Sequence, residues 1–432
     1  MIINKMKKNN LINQLLYLTI ISGFFGSAFF NIPFGPVTLF MYRLLIMLLV
    51  VLSLLMILKN KKIIISHIKV KNYLLFLIFW FIYAVFSLGW AKSRIAAIKD
   101  IGFLVFAFAA IFLIAYFFNS LKNYKIFYYI WIVVLIIMLI IGFWNVFTGN
   151  HLANSKFKDA PLRFKNIPTA VFYNPNDFAT YLAISIPFLL SIFKYKKNHK
   201  KLIALLLILS SIFLIIATDS RANYIAVILG LVFWFFFTLN IKFKVKYFFY
   251  GLIISTLLIL SFPGELSFLI NKFFEQISSV FNNQSLGSNE IRINLIKNSL
   301  IFLINSFGFG VGAGNAEYYM NTRAIYKTGN ILNVHNWWIE IIVNYGLFVF
   351  LGYCILFLSI SKNLYFIKKN NKINDMEKMI TEALLTSLIV FTIASISSSS
   401  IIAYKPQWLL FAFSIGFINY YRNKYKVISF KG

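Results

Sequence analysis

One cysteine, Cys354, occurs in the whole chain, inside an apolar run, so disulfides and thiolate metal cages are excluded. Acidic residues are almost as scarce. Only 12 Asp and Glu stand against 42 Lys and Arg. No Asp-x-Asp or close carboxylate pair falls in a segment expected outside the membrane, no His-x-x-x-His occurs, and no Gly-x-Ser-x-Gly elbow is present. Metal-assisted and serine-hydrolase chemistry are therefore not expected. Internal repeats and a low-complexity tail are also missing.

What is abundant is apolar surface. Sixty per cent of the residues are hydrophobic, Phe alone supplies 50, and charged residues make up 12 per cent. A soluble domain carries about twice that charge and does not repeat apolar runs of about 20 residues. The expected fold class is all-α integral membrane with about twelve transmembrane helices, forming a single polytopic domain over residues 1–432. The spans are expected near 11–30, 37–58, 73–90, 101–118, 126–148, 177–193, 202–218, 222–239, 246–262, 337–361, 379–397 and 401–421. Lys5, Lys7 and Lys8 before the first run resemble a signal peptide. The run is too long for one and no small-residue cleavage site follows, so it reads as the first span.

The net charge of +30 takes its meaning from its location. Alternate connections carry about 27 basic residues on the side of the N-terminus and about 13 on the other, with Arg43 and Lys405 inside spans. The positive-inside rule makes the richer side cytoplasmic, so both termini are expected there, in a bacterial plasma membrane. Topology and attraction to anionic lipids account for the excess, and no nucleic-acid partner is expected.

Two outer segments are long: Thr148 to Asn176, and the large extracytoplasmic loop 263–336 between spans nine and ten. Loops of such length are usually functional. Within the second, Leu266 to Phe281 and Glu290 to Phe307 space apolar residues helically, which predicts short interfacial helices. Asn282 to Asn289 reads as a polar turn, with Ser288 or Asn289 as a cap for the second helix. The run from Gly308 to Asn315 fits neither a Walker loop nor a dinucleotide fingerprint. It reads as a turn that lets backbone approach a ligand or a neighbouring helix.

Charges in or beside lipid ask for a partner or a job. Arg43 is expected about two turns below the outer end of its span, and Lys405 and Glu340 about one turn below theirs. They form either a structural network, Glu340 with Arg43 or Lys405, or part of a site. Asn336, Glu340 and Asn344 recur every four residues and make a polar stripe on one helix face. His335 and Glu340 are five positions, or about 140°, apart, so they meet only where His335 precedes the first regular turn. Asn333 as a helix cap would stand against that. His335 is either a general base or an interfacial histidine bonded to backbone. His67 and His199 read as solvated in basic loops, and His151 carries no signal.

The connection Thr218-Asp219-Ser220-Arg221 is very short. It holds Arg221 where a guanidinium can grip a diphosphate bidentately, or pair with Asp219. Arg292 is a second phosphate ligand or the polar edge of an interfacial helix. Arg163 and Lys165 precede Phe172-Tyr-Asn174-Pro-Asn176-Asp177, where Asn174 and Asn176 are capping residues or sugar-binding amides.

In this order the landmarks resemble the O-antigen ligase and Wzy-type polysaccharide polymerase family of bacterial membrane glycosyltransferases. They are Phe172-x-Asn174-Pro-Asn176 before a span, Ser220-Arg221-Ala222 at a hairpin, Arg292 in a large outer loop, Phe309-Gly-Val-Gly-x-Gly-Asn315, and His335-Asn336 with Glu340 and Gly346. The likeness is detailed over residues 160–350. It implies transfer of glycan from undecaprenyl diphosphate to an acceptor sugar hydroxyl on the outer face, without metal or cofactor. By that resemblance His335 is the base, with Glu340 beside it, and Arg221 and Arg292 hold the donor diphosphate. Arg43, Arg163, Asn174, Asn176, Asn336 and Lys405 are supporting candidates. One departure is Asn223, where the family's hairpin has a small residue.

The expected activity is polymerisation of lipid-linked repeats for a capsule or other surface polysaccharide. A ligase acting on finished polymer is the alternative, and a flippase for the same lipids the third reading. Expected partners are the lipid-linked oligosaccharide, the growing polysaccharide acceptor and membrane lipids, with a flippase and a chain-length regulator beside them.

Overall fold

The computed structural model describes residues 2–34, 37–60, 66–239, 241, 244, 245, 288–398 and 401–426. The expected ninth span (246–262), the helix 266–281 and most of the turn 282–289 lie outside the described residues.

Apolar runs build the helices in chain order. They are α1 (Ile2–Phe25), α2 (Met41–Asn60), α3 (Lys71–Phe86), α4 (Arg94–Phe117), α5 (Leu121–Thr148), the single turn α6 (Leu162–Lys165), α7 (Pro175–Tyr195), α8 (Asn198–Ala217) and α9 (Arg221–Phe233), which runs on into a π-helical turn, Trp234–Thr238. After the undescribed stretch come α10 (Ser288–Asn305), α11 (Ala316–Arg323), α12 (Trp337–Lys369), α13 (Asp375–Ala394) and α14 (Lys405–Lys424).

Among the described residues eight helices are long and apolar enough to cross a membrane: α2 to α5, α7 to α9 and α12. With the family resemblance of the sequence, this is a multi-pass membrane protein. α1 carries a shorter apolar stretch, Asn10–Phe25. α13 and α14 are more polar, with Glu377, Glu382, Gln407, Ser414 and Asn419 buried in them. Their position explains this. α13 packs extensively on α7 and α9, and α14 on α4, so both are walled from lipid by other helices. Neighbours satisfy three of these groups there: Lys424 and Tyr420 bond Glu377, Lys194 and Tyr195 bond Glu382, and Asn419 Nδ2 donates to Ala115 O.

The second span departs from expectation. Two short strands pair antiparallel there, β1 (Ile32–Phe34) against β2 (Val37–Leu39), with Ile32 opposite Leu39. Pro33 and Pro36 oppose a helix there, since each lacks an N–H and restricts the residue before it. α2 therefore starts at Met41, and Arg43 lies in its first turn rather than two turns in. Lys405 is likewise the first residue of α14, whereas Glu340 sits one turn into α12.

Two further expectations are corrected. His67 is not simply solvated, because its Nε2 meets the carbonyl of Tyr116 at 3.1 Å and its ring packs edge-on to that tyrosine. His151 ties down the long loop after α5, with one ring nitrogen 3.1 Å from Thr169 Oγ1 and the other 2.7 Å from Lys165 O.

Candidate functional site

The glycine run shapes the foundation. Gly346 interrupts α12 with φ +77° and ψ −178°. A Cβ there would lie 2.5 Å from the backbone of Gly308 and Phe309, and one on Gly310 would lie 2.5 Å from Gly346 N. Glycine at both positions lets two backbones meet. Val311 N donates to Val343 O (2.8 Å), Gly312 N to Asn344 O (3.0 Å) and Leu347 N to Gly308 O (2.8 Å). The break therefore leaves these α12 groups paired. It approaches a neighbouring helix, one of the two readings its sequence allowed.

At the start of α12, Asn336 rather than Asn333 is the cap, and its side chain accepts from Trp338 N and Ile339 N. His335 thus precedes the first turn, in a left-handed conformation with φ +53°. Its segment is pinned on two sides. Trp337 N donates to Ser395 O (3.1 Å) and Trp338 Nε1 to Thr392 O (3.0 Å). On the other side α10 presents Asn294 and Asn298, four residues apart on one face, to the backbone of residues 325–327 at 2.9–3.0 Å.

The same helix carries Arg292 to the imidazole. Burial, then the charge of Arg292, then that of Lys156 press the His335 pKa down from 6.5 to about 4, while a backbone hydrogen bond with Ser398 works the other way. Nδ1 is buried and has no hydrogen-bond partner among the described residues. Arg292 is itself half-buried, and its pKa is lowered by burial and by the charge of Arg221. Arg221, Arg292 and His335, spread over more than a hundred residues of chain, form one electrostatic unit.

Arg221 is the first residue of α9, after Asp219 in a left-handed conformation (φ +55°). Beneath it the unexpected Asn223 is fully buried, and its amide donates to Ser220 Oγ (2.9 Å), Ser397 Oγ (3.1 Å) and Thr180 Oγ1 (3.3 Å). The hydroxyls of α7 and of the serines after α13 thus replace the close packing that a small residue would give. Thr180 Oγ1 also meets Ser398 Oγ at 2.8 Å, which links the support of Arg221 to that of His335.

Other candidates lie around this unit. Glu340 lines a cavity of about 230 Å³ together with Lys99, Asp100, Glu317, Asn333 and Asn344. Burial raises the pKa of Glu317 there, partly offset by Lys99. Arg43 and Lys405 share an aromatic box, 4.9 and 4.8 Å from the centroid of the Phe40 ring, and Arg43 Nη1 donates to Thr38 O at 2.6 Å. Asn174 caps α7 by accepting from Asn176 N at 2.9 Å, so the capping reading is realised for Asn174, with Asn176 as the second helical residue. Arg163 is exposed, with its guanidinium over Phe164.

Sequence reasoning missed Lys156, Ser398 and the cavity-lining Asp100 and Glu317. Lys156 is one of several basic residues in the long loop between α5 and α7, and burial lowers its pKa while Asp177 opposes that. Ser398 belongs to a conspicuous serine run, 397–400, which was the only available signal.

Comparison with known proteins adds two findings. A family model described as O-antigen ligase matches residues 203–354, the stretch that holds Arg221, Arg292 and His335. The chain is also 36% identical over 427 residues to the teichuronic acid biosynthesis protein TuaE of Bacillus subtilis (strain 168), covering 96% of this chain and 86% of that protein.

Proposed function

Because the chain belongs to the O-antigen ligase family of membrane glycosyltransferases in polysaccharide biosynthesis, we propose that it polymerises undecaprenyl-diphosphate-linked oligosaccharide repeats on the outer face of a bacterial plasma membrane. The product is a surface polysaccharide, a capsule or a wall polymer of the teichuronic acid kind. Twelve spans with both termini cytoplasmic put residues 148–176 and 263–336 outside, facing the substrate.

One observation carries this reading: Arg292 lies between Arg221 and a buried imidazole whose pKa it helps to lower, with the supports of Arg221 and His335 joined through Thr180 and Ser398. Arg221 and Arg292 clamp the donor diphosphate, taking up the charge that develops as the anomeric C–O bond breaks. The acceptor hydroxyl attacks the anomeric carbon, its proton passes to His335, and undecaprenyl diphosphate leaves. Glu340 and its carboxylate neighbours accept hydrogen bonds from acceptor hydroxyls in the adjoining cavity.

A base with a pKa near 4 is weak, but the pressure from Arg292 is electrostatic. A bound diphosphate offsets that charge and strengthens the base when substrate is present. Metal is not needed, since two guanidinium groups do the neutralising.

Incubating the purified full chain with its lipid-linked repeat tests the reading. A ladder of lengths is expected. A single transferred product would assign ligase activity, and no reaction would favour transport.

A further inference from the structure

At the basic end of the bundle, away from His335, lies a groove of about 680 Å³ between α3, α12 and α14. Its rim carries Lys69, Lys71 and Arg422, and no acidic side chain lines it among the described residues. The groove follows α12 from Asn363 to Gly352, eleven residues or about 16 Å. Its character changes along that path. Near the rim it is polar: Arg422 Nη2 donates to Asn363 Oδ1 (2.8 Å), Asn363 Nδ2 to Tyr73 OH (2.8 Å), and Tyr73 OH meets Ser359 Oγ (3.0 Å). Deeper in, the wall is Phe76, Gly352 and Ile355, and Ile355 is 68% exposed on the surface that faces lipid.

We propose that this groove binds one anionic phospholipid, its phosphate among Lys69, Lys71 and Arg422 and its upper acyl chain along Phe76, Gly352 and Ile355. Three cations with no acidic neighbour in the lining demand an anion. The apolar wall, which continues onto the lipid-facing surface, selects one that carries acyl chains over a free phosphate. Arg422 is held ready. Nη1 donates to Lys69 O at 2.8 Å, its Nη2 bond fixes the guanidinium plane, and Nε is buried without a hydrogen-bond partner among the described residues. The strap that carries Lys69 is itself tied to α14, since Lys69 N donates to Asn419 Oδ1 (2.6 Å) and Asn423 Nδ2 to His67 O (2.6 Å).

The test is native mass spectrometry of the full chain released from mixed phosphatidylglycerol and phosphatidylcholine micelles. Wild type should retain one phosphatidylglycerol in preference to phosphatidylcholine. Lys69→Gln with Lys71→Gln should weaken that retention about thirtyfold, the combined effect of two basic groups near an anionic headgroup. Both lysines are exposed, so this variant keeps the packing of the fold. Lys197→Gln with Lys200→Gln removes the same charge from a different basic loop and should leave retention unchanged. Equal retention of the two lipids, equal loss in the two double variants, or full displacement by inorganic phosphate would each overturn the proposal.

Discussion

The depressed pKa of His335 predicts an unusual response to acid. Burial and Arg292 move it from 6.5 to about 4, roughly 2.5 pK units or about 3 kcal/mol between the two protonation states. The imidazole is therefore neutral at every pH above about 5, and kcat/KM should stay flat from pH 8 to pH 5. Below about 4 it should fall tenfold per pH unit. In Arg292→Gln the limb should move up yet stay under 6.5, because burial, the larger cause, persists. The kcat profile reports the substrate complex, and its limb should lie above that of kcat/KM, since a bound diphosphate offsets the Arg292 charge. Stability follows the same proton. Above pH 6.5 the imidazole is neutral whether folded or unfolded. Between 6.5 and about 4 only the unfolded chain takes up a proton, so stability declines as pH falls, by up to about 3 kcal/mol, and levels off below that. His335→Gln should abolish this component. Turnover of lipid-linked repeat across pH, with parallel thermal unfolding, makes the measurement. A wild-type kcat/KM limb at 6.5 that Arg292→Gln leaves in place would refute the reasoning.

Three further outcomes are expected. Arg221→Lys and Arg292→Lys should each lower turnover at least about tenfold, because a lysine keeps the charge but loses the bidentate fork, and excess EDTA should leave wild type active; full activity in both variants, or loss on chelation with rescue by a divalent cation, refutes the clamp. In a Cys354→Ala background, Leu162→Cys should react with an impermeant thiol reagent on intact cells and His199→Cys should not, both positions being exposed; the reverse pattern inverts the topology. His151→Ala should cost about 1–3 kcal/mol of stability by removing the ring that joins Thr169 to Lys165, with turnover per folded molecule unchanged; lost turnover in a stable variant would instead give His151 a part in the chemistry.

Membrane class and helix positions were legible because an apolar run of about 20 residues has few alternatives in lipid. The strand pair before α2 was missed, because the apolar run around it outweighed Pro33 and Pro36, which stand against a helix. Arg221, Arg292 and His335 could be named individually from residue type and family order. Their convergence could not, because it depends on how α9, α10 and the start of α12 pack. Lys156 and Ser398 gave still less, each being one of several like residues in its segment. Asn223 seemed a local misfit until the hydroxyls that satisfy it, from α7 and from the segment after α13, came into view.

The pairing of residues 308–312 with the break at Gly346 has a consequence for which parts of the site can move. Withdrawing that segment would strand the buried carbonyls of Val343 and Asn344, at a cost of about 1–3 kcal/mol each. The glycine-rich stretch is thus masonry and not a door, for all its resemblance to a flexible lid. Under the proposed polymerase reading, a lengthening glycan would pass other parts of the site, and mutations that loosen this wall should harm assembly before they alter product length.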